Sequence, residues 1–176
     1  MLDTLITSKT RIKLILRFFL NPKSTAYLRG LAEEFGESSN AIRLELNRFE
    51  EAGLLQSETQ GNKKLFKANI AHPLYGDIHN IVRKVIGIDQ IVDEVVKELG
   101  EVQEAYVTGD FAVGRDSPAI DIVLVGNHLN TAYLIRLVEK AEKLIHRRIR
   151  YLILSPEEAK QLLKENRSVL IWKKTT

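Results

Sequence analysis

The chain has 176 residues, 44% of them hydrophobic and 28% charged, which suffices for one ordinary core or two small ones and excludes a disordered or low-complexity segment. It holds no cysteine, so disulfides, thiolate zinc sites and thiol nucleophiles are excluded, and a reducing, cytoplasmic setting is expected. The net charge of +3 sits in the N-terminal part: residues 1–70 carry 11 Lys and Arg against 8 Asp and Glu, whereas residues 71–176 carry 15 of each. Nucleic acid is therefore sought in that part, because clustering of charge matters more than its total. The longest apolar runs, 14–20 and 120–125, are too short to span a bilayer, so no membrane partner is expected.

In chain order, a first helix is predicted from Asp3 or Ser8 to Leu20, with Leu5, Ile6, Ile12, Ile15, Leu16 and Phe19 as its core side, stopped by Asn21-Pro22. A second helix is predicted from Ser24 and Thr25 to Phe35, burying Leu28, Leu31, Ala32 and Phe35, with Gly36 as the turn. A third follows over 38–52. Ser38 or Ser39 caps it, Ile42, Leu46 and Phe49 recur at helical spacing, and Gly53 ends it. Its other face carries Ser39, Asn40, Arg43, Asn47 and Arg48, whose donors and acceptors match base edges and phosphate oxygens. Glu45 is the awkward member, expected either to accept from a cytosine or to point to solvent. Two extended runs, 54–59 and 63–69, flank Gln60-Gly61-Asn62 and predict a hairpin with a basic tip.

Three stretches, Tyr27-Leu28-Arg29-x-Leu31-Ala32, Ser38-Ser39-Asn40-Ala41-Ile42 and Glu50-Glu51-Ala52-Gly53-Leu54-Leu55 before a hairpin, resemble the winged helix of ArsR-type bacterial repressors over residues 8–70. The resemblance implies double-stranded DNA as partner, with Ser39, Asn40, Arg43 and Asn47 at the groove and Lys63, Lys64 and Lys67 at phosphates near the wing; Arg48, on the same polar face, is expected to bind DNA too. Metal sensing by cysteines is not carried over, because there are none.

From Pro73 a long helical stretch is predicted, divided at Gly87, with Ile78, Ile81, Val82, Val85 and Ile86 before it and Ile88, Ile91, Val92, Val95, Val96 and Leu99 after. Its apolar surface suits either its own domain or a twin in a homodimer, which would let two half-sites be read. Domains are thus expected at 1–72 and 100–176, with 73–99 as a helical connector.

Beyond Gly100, strands at 102–107, 120–125, 149–154 and 169–172 alternate with helices at 131–146 and after the Ser155-Pro156-Glu157-Glu158 cap, an α/β pattern. The loop Gly109-Asp110-Phe111-Ala112-Val113-Gly114 followed by Ile120-Asp121-Ile122-Val123-Leu124-Val125-Gly126 resembles the minimal nucleotidyltransferase fold of the DNA polymerase β superfamily over residues 90–172. The resemblance implies nucleotide phosphates at Gly109, Asp110 and Gly114 and Mg²⁺ on paired carboxylates. The chain departs from it at three points: Asp110 stands for the loop serine, Ala119 for the first carboxylate, and 149–154 holds no third. Asp121 alone stands in register, with Asp110 and Asp116 as the substitutes an active enzyme would need. The four histidines lie at no metal-ligand spacing.

The expected fold is α+β, a winged helix-turn-helix followed by a small nucleotidyltransferase-like α/β domain. The expected function is a DNA-binding transcriptional regulator whose second domain senses, scaffolds or dimerises without catalysis, with a nucleotide or small molecule as the open choice of effector. No cofactor is expected. The alternative is a Mg²⁺-dependent nucleotidyltransferase brought to its acceptor by the winged helix.

Overall fold

The computed structural model describes residues 2–175 and divides into two compact units, Met1–Val82 and Arg83–Thr176. In the first, α1 (Leu2–Leu5) precedes α2 (Lys9–Phe19), which starts where Ser8 accepts a hydrogen bond from the Arg11 N–H. The core side is the expected one at Leu16 and Phe19 and differs elsewhere. Leu14, Leu16, Phe18, Phe19 and Leu20 are buried, while Leu5 is 75% exposed. Restarting the helix at Ser8 puts Leu5 out of phase, and residues 14–20 offer more apolar positions than one face can use. Arg17, within this run, is buried too, bonded to Ser24 and lying 3.3 Å from Glu34.

The second helix is also shorter than expected. Thr25–Tyr27 is a strand, β1, and only Leu28–Phe35 is helical, as α3. β1 pairs antiparallel with β3 (Lys63–Ala68), which also pairs with β2 (Leu55–Gln60), giving the order β1-β3-β2. The strand forms because β3 offers an unpaired edge, a partner far along the chain that local propensity cannot reveal. Between α3 and β2 lies α4 (Ser39–Glu51), with Ile42, Leu46 and Phe49 buried as expected and Gly53, at φ 72°, just past its end.

Helix α5 (Tyr75–Ile86) stops at Gly87, and α6 (Ile88–Ile91), one π-helical turn (Val92–Val96) and α7 (Lys97–Leu99) complete the helical stretch. The second unit's sheet has the order β6-β5-β4-β7. Here β4 (Glu104–Thr108) is antiparallel to β5 (Ala119–Val125) and β7 (Val169–Lys173), and β5 is parallel to β6 (Arg148–Leu154). A parallel pair needs a crossover, which α9 (Thr131–Ile145) supplies. On one face Val123 and Val125 pack against Ala159, Leu162 and Leu163 of α10 (Pro156–Glu165). By strand alternation, Ile120, Ile122 and Leu124 are buried on the other. The glycine-rich stretch is not an open loop: Gly109–Ala112 is a helical turn, α8. Among the described residues no helix is long and apolar enough to cross a membrane.

Candidate functional site

In the first unit, Ser38 caps α4 by accepting from the Ala41 N–H at 3.3 Å, and Ser39, Asn40, Arg43, Asn47 and Arg48 are all exposed. The first turn of α3, the flank of α4 and the wing enclose a groove of about 640 Å³. Arg43, Asn47, Lys63 and Lys64 meet there, joined by two residues that sequence reasoning did not select, Tyr27 and Arg29. The wing is tied to this groove. The Tyr27 hydroxyl donates to Gln60 Oε1 at 2.6 Å, and Lys63 Nζ lies 5.9 Å from the Tyr27 ring centroid. The position of Arg29 one residue into a helix was the only local signal, and it says nothing about a wing that returns from residue 63.

The basic residues divide by whether a carboxylate holds them. Lys64 lies 3.3 Å from Glu50, and Lys67 pairs with Glu58 outside the groove lining. Among the described residues, Arg29, Arg43 and Lys63 have no acidic partner, although Glu33 also lines the groove. Arg48 is on the opposite flank of α4, its Nη1 donating to Glu45 Oε1 at 2.8 Å.

Glu45 neither reaches toward bases nor points to solvent. It is 6% exposed and also accepts from Arg11 of α2, Nε at 2.9 Å and Nη2 at 3.3 Å. Burial alone would raise this carboxyl, but the hydrogen bond and charge of Arg11, with those of Arg48, outweigh it and hold the group below its ordinary range.

In the second unit, a cleft of about 320 Å³ is lined by Thr108, Gly109, Asp121, Val123, Arg150 and Leu152, among others. Asp121 is opposite Arg150 in the parallel register of β5 and β6. Arg150 grips both carboxylate oxygens, Nε to Oδ1 at 2.6 Å and Nη2 to Oδ2 at 2.8 Å, a bidentate fork. The hydrogen bond with Asp121, then its charge, raises Arg150 above the ordinary guanidinium range. Among the described residues, the hydrogen bonds that the Asp121 carboxylate accepts come from this fork. Within the 109–114 loop Val113 donates to Asp110 O at 3.2 Å and Gly114 to Phe111 O at 3.0 Å, so these two N–H groups are held inside the turn.

Of the other two carboxylates expected of an active site, Asp116 is held elsewhere, while the charge of Asp110 also bears on Arg150 without joining its fork with Asp121. Asp110 lies 3.7 Å from Arg115, and Asp116 lies 2.8 Å from Arg147. On the strand face of Asp121 the flanking positions are Ala119 and Val123, neither an oxygen donor. Among the described residues no group of three or more His, Asp or Glu side chains could hold a metal ion. This donor set does not fit two Mg²⁺, which require clustered oxygens.

By strand order and helix placement the chain is α+β, a winged helix-turn-helix followed by a small α/β unit on a four-stranded mixed sheet. No protein-family model matches it, and neither does any curated protein. Among solved structures, reduced HlyU from Vibrio cholerae N16961 is similar over 48% of this chain and 83% of its own, at 11% identity and a TM-score of 0.38. A candidate nucleotidyltransferase from Sulfolobus solfataricus is similar over 53% of this chain and 83% of its own, at 26% identity and a TM-score of 0.38. A variant of the toxin–antitoxin MntA–HpeT covers 50% and 74%, at 14% identity and a TM-score of 0.40.

Proposed function

We propose that this protein is a transcriptional regulator that binds double-stranded DNA in a sequence-dependent way through α4 and the wing. The supporting observation is the groove in which Arg29, Arg43 and Lys63, cations without acidic partners, converge beside Asn47. Guanidinium and amide groups on an exposed helix face suit base edges in the major groove, while the wing lysines suit the phosphate backbone. In this reading Ser39, Asn40, Arg43 and Asn47 enter the groove, and Arg48, steadied by Glu45, reaches phosphate at its border. The nucleotidyltransferase-like unit serves in sensing, scaffolding or dimerisation. In this reading the unit does not catalyse, which is supported by the pairing of Asp121 with Arg150 and by Ala119 and Val123 flanking it on its strand face.

The test is to select a duplex from a randomised pool with the full chain and compare Arg43→Ala with wild type on the selected and on random DNA. If Arg43 reads a guanine, the variant binds the selected duplex about 1 to 3 kcal/mol more weakly and discriminates less between sequences. Equal loss on both duplexes would leave Arg43 with phosphate alone. A pool that enriches nothing would remove the DNA reading.

A further inference from the structure

Helix α4 presents Asn40, Leu44 and Asn47 on its outward side, at spacings of four and three residues that stack them along one stripe. Leu44 is the apolar member of this stripe. It is 53% exposed, whereas Ile42, Leu46 and Phe49 of the same helix are buried in the unit's own core. About half of this leucine is left as apolar surface on an otherwise polar stripe. The stripe is bordered by cations on both flanks, Arg43 with the groove residues on one side and Arg48 with Arg11 on the other. Up to the exposed Glu51, which closes the stripe at its C-terminal end, this surface suits a polyanion that offers an apolar point between its charged edges. The floor of the DNA major groove offers one, the C5-methyl of thymine.

We infer that Leu44 is a specificity-determining residue that packs on the methyl group of a thymine, with adenine read by the neighbouring asparagine amides. This inference rests on the DNA reading given above. A helix rises about 1.5 Å per residue, so Leu44 is roughly 6 Å along the axis from Asn40 and roughly 4.5 Å from Asn47. Against about 3.4 Å per base step, the thymine falls one or two steps from an adenine contacted by either amide. The preferred site accordingly contains a short A·T stretch, beside the guanine assigned to Arg43.

The experiment uses the full chain and the duplex it selects. Each thymine is replaced singly by uracil, which removes only the methyl group, and the Kd is measured for wild type and Leu44→Ala. At one thymine, loss of the methyl weakens wild type about fourfold, the worth of one buried CH₂-sized group. Leu44→Ala binds the thymine and uracil duplexes equally at that position. A flat uracil profile for wild type on a tightly bound, sequence-selected duplex overturns the inference while leaving the DNA reading intact, and it needs no variant that might misfold. Discrimination retained by Leu44→Ala overturns it equally. Failure to select any duplex removes both.

Discussion

Gly109 is confined twice over, by its own backbone and by the carboxylate it faces. Its φ of 63° is in the left-handed region, and a Cβ there would sit 2.3 Å from Asp121 Oδ2. Gly109→Ala is expected to lose about 1 to 3 kcal/mol of stability in urea denaturation, the usual cost of such strain. Combining it with Asp121→Ala should recover the collision but not the backbone part; full recovery would show that φ costs nothing there. Glu45 gives a prediction in pH. Its carboxyl is lowered in the fold, so its contribution is present above the ordinary value of about 4.3 and is lost as pH falls through the folded value. Glu45→Gln should be less stable than wild type at neutral pH, with the gap closing below about pH 4. Thermal denaturation across that range checks it, and a gap independent of pH would detach Glu45 from acid lability.

At the scale of elements, the wing separates its lysines by partner. Lys63 rests against the Tyr27 ring without a carboxylate, while Lys64 is shared with Glu50. A phosphate contact releases about one counterion, so Lys63→Ala should lower the salt slope of DNA binding by about one. Lys64→Ala should lower it by less, because Glu50 already offsets part of that charge. Equal slopes would mean that Glu50 lets go of Lys64 on DNA. Elements were legible in the sequence where their signals are local. The Ser155-Pro156-Glu157-Glu158 start forms a capping box, with Ser155 accepting from the Glu158 N–H and Glu158 accepting from Ser155. By contrast β1 was read as helix, since Thr25–Tyr27 is extended only because residues 65–67 lie beside it.

For the whole molecule, the expected behaviour is independence from divalent metal. With Asp110, Asp116 and Asp121 each beside its own arginine, chelation by EDTA should leave the melting temperature and the DNA affinity unchanged. Incubation with labelled nucleoside triphosphates, Mg²⁺ or Mn²⁺ and candidate acceptors should give no labelled product. Product from wild type that disappears in Asp121→Asn would replace this reading with a nucleotidyltransferase. A metal-dependent rise in melting temperature, abolished by the same substitution, would likewise show that Arg150 yields its place to a cation.

The α+β order of the chain, the amphipathic α4, the glycine turn of the wing and the alternation of strand and helix after Gly100 were all determined by the sequence itself. Each is written in neighbouring residues, through a period of 3.6 or 2, a cap or a turn. Which carboxylate meets which arginine was decided only by tertiary structure. Arg150 and Asp121 are 29 positions apart, and Arg11 and Glu45 are 34 apart. Strand register joins the first pair and helix packing the second, and neither is encoded in any local window. The same packing encloses Glu45 of α4 among cations. Periodicity set by Ile42, Leu46 and Phe49 already turns Leu44 outward, whereas Glu45, at the edge of that stripe, is covered only because Arg11 of α2 and Arg48 close over it.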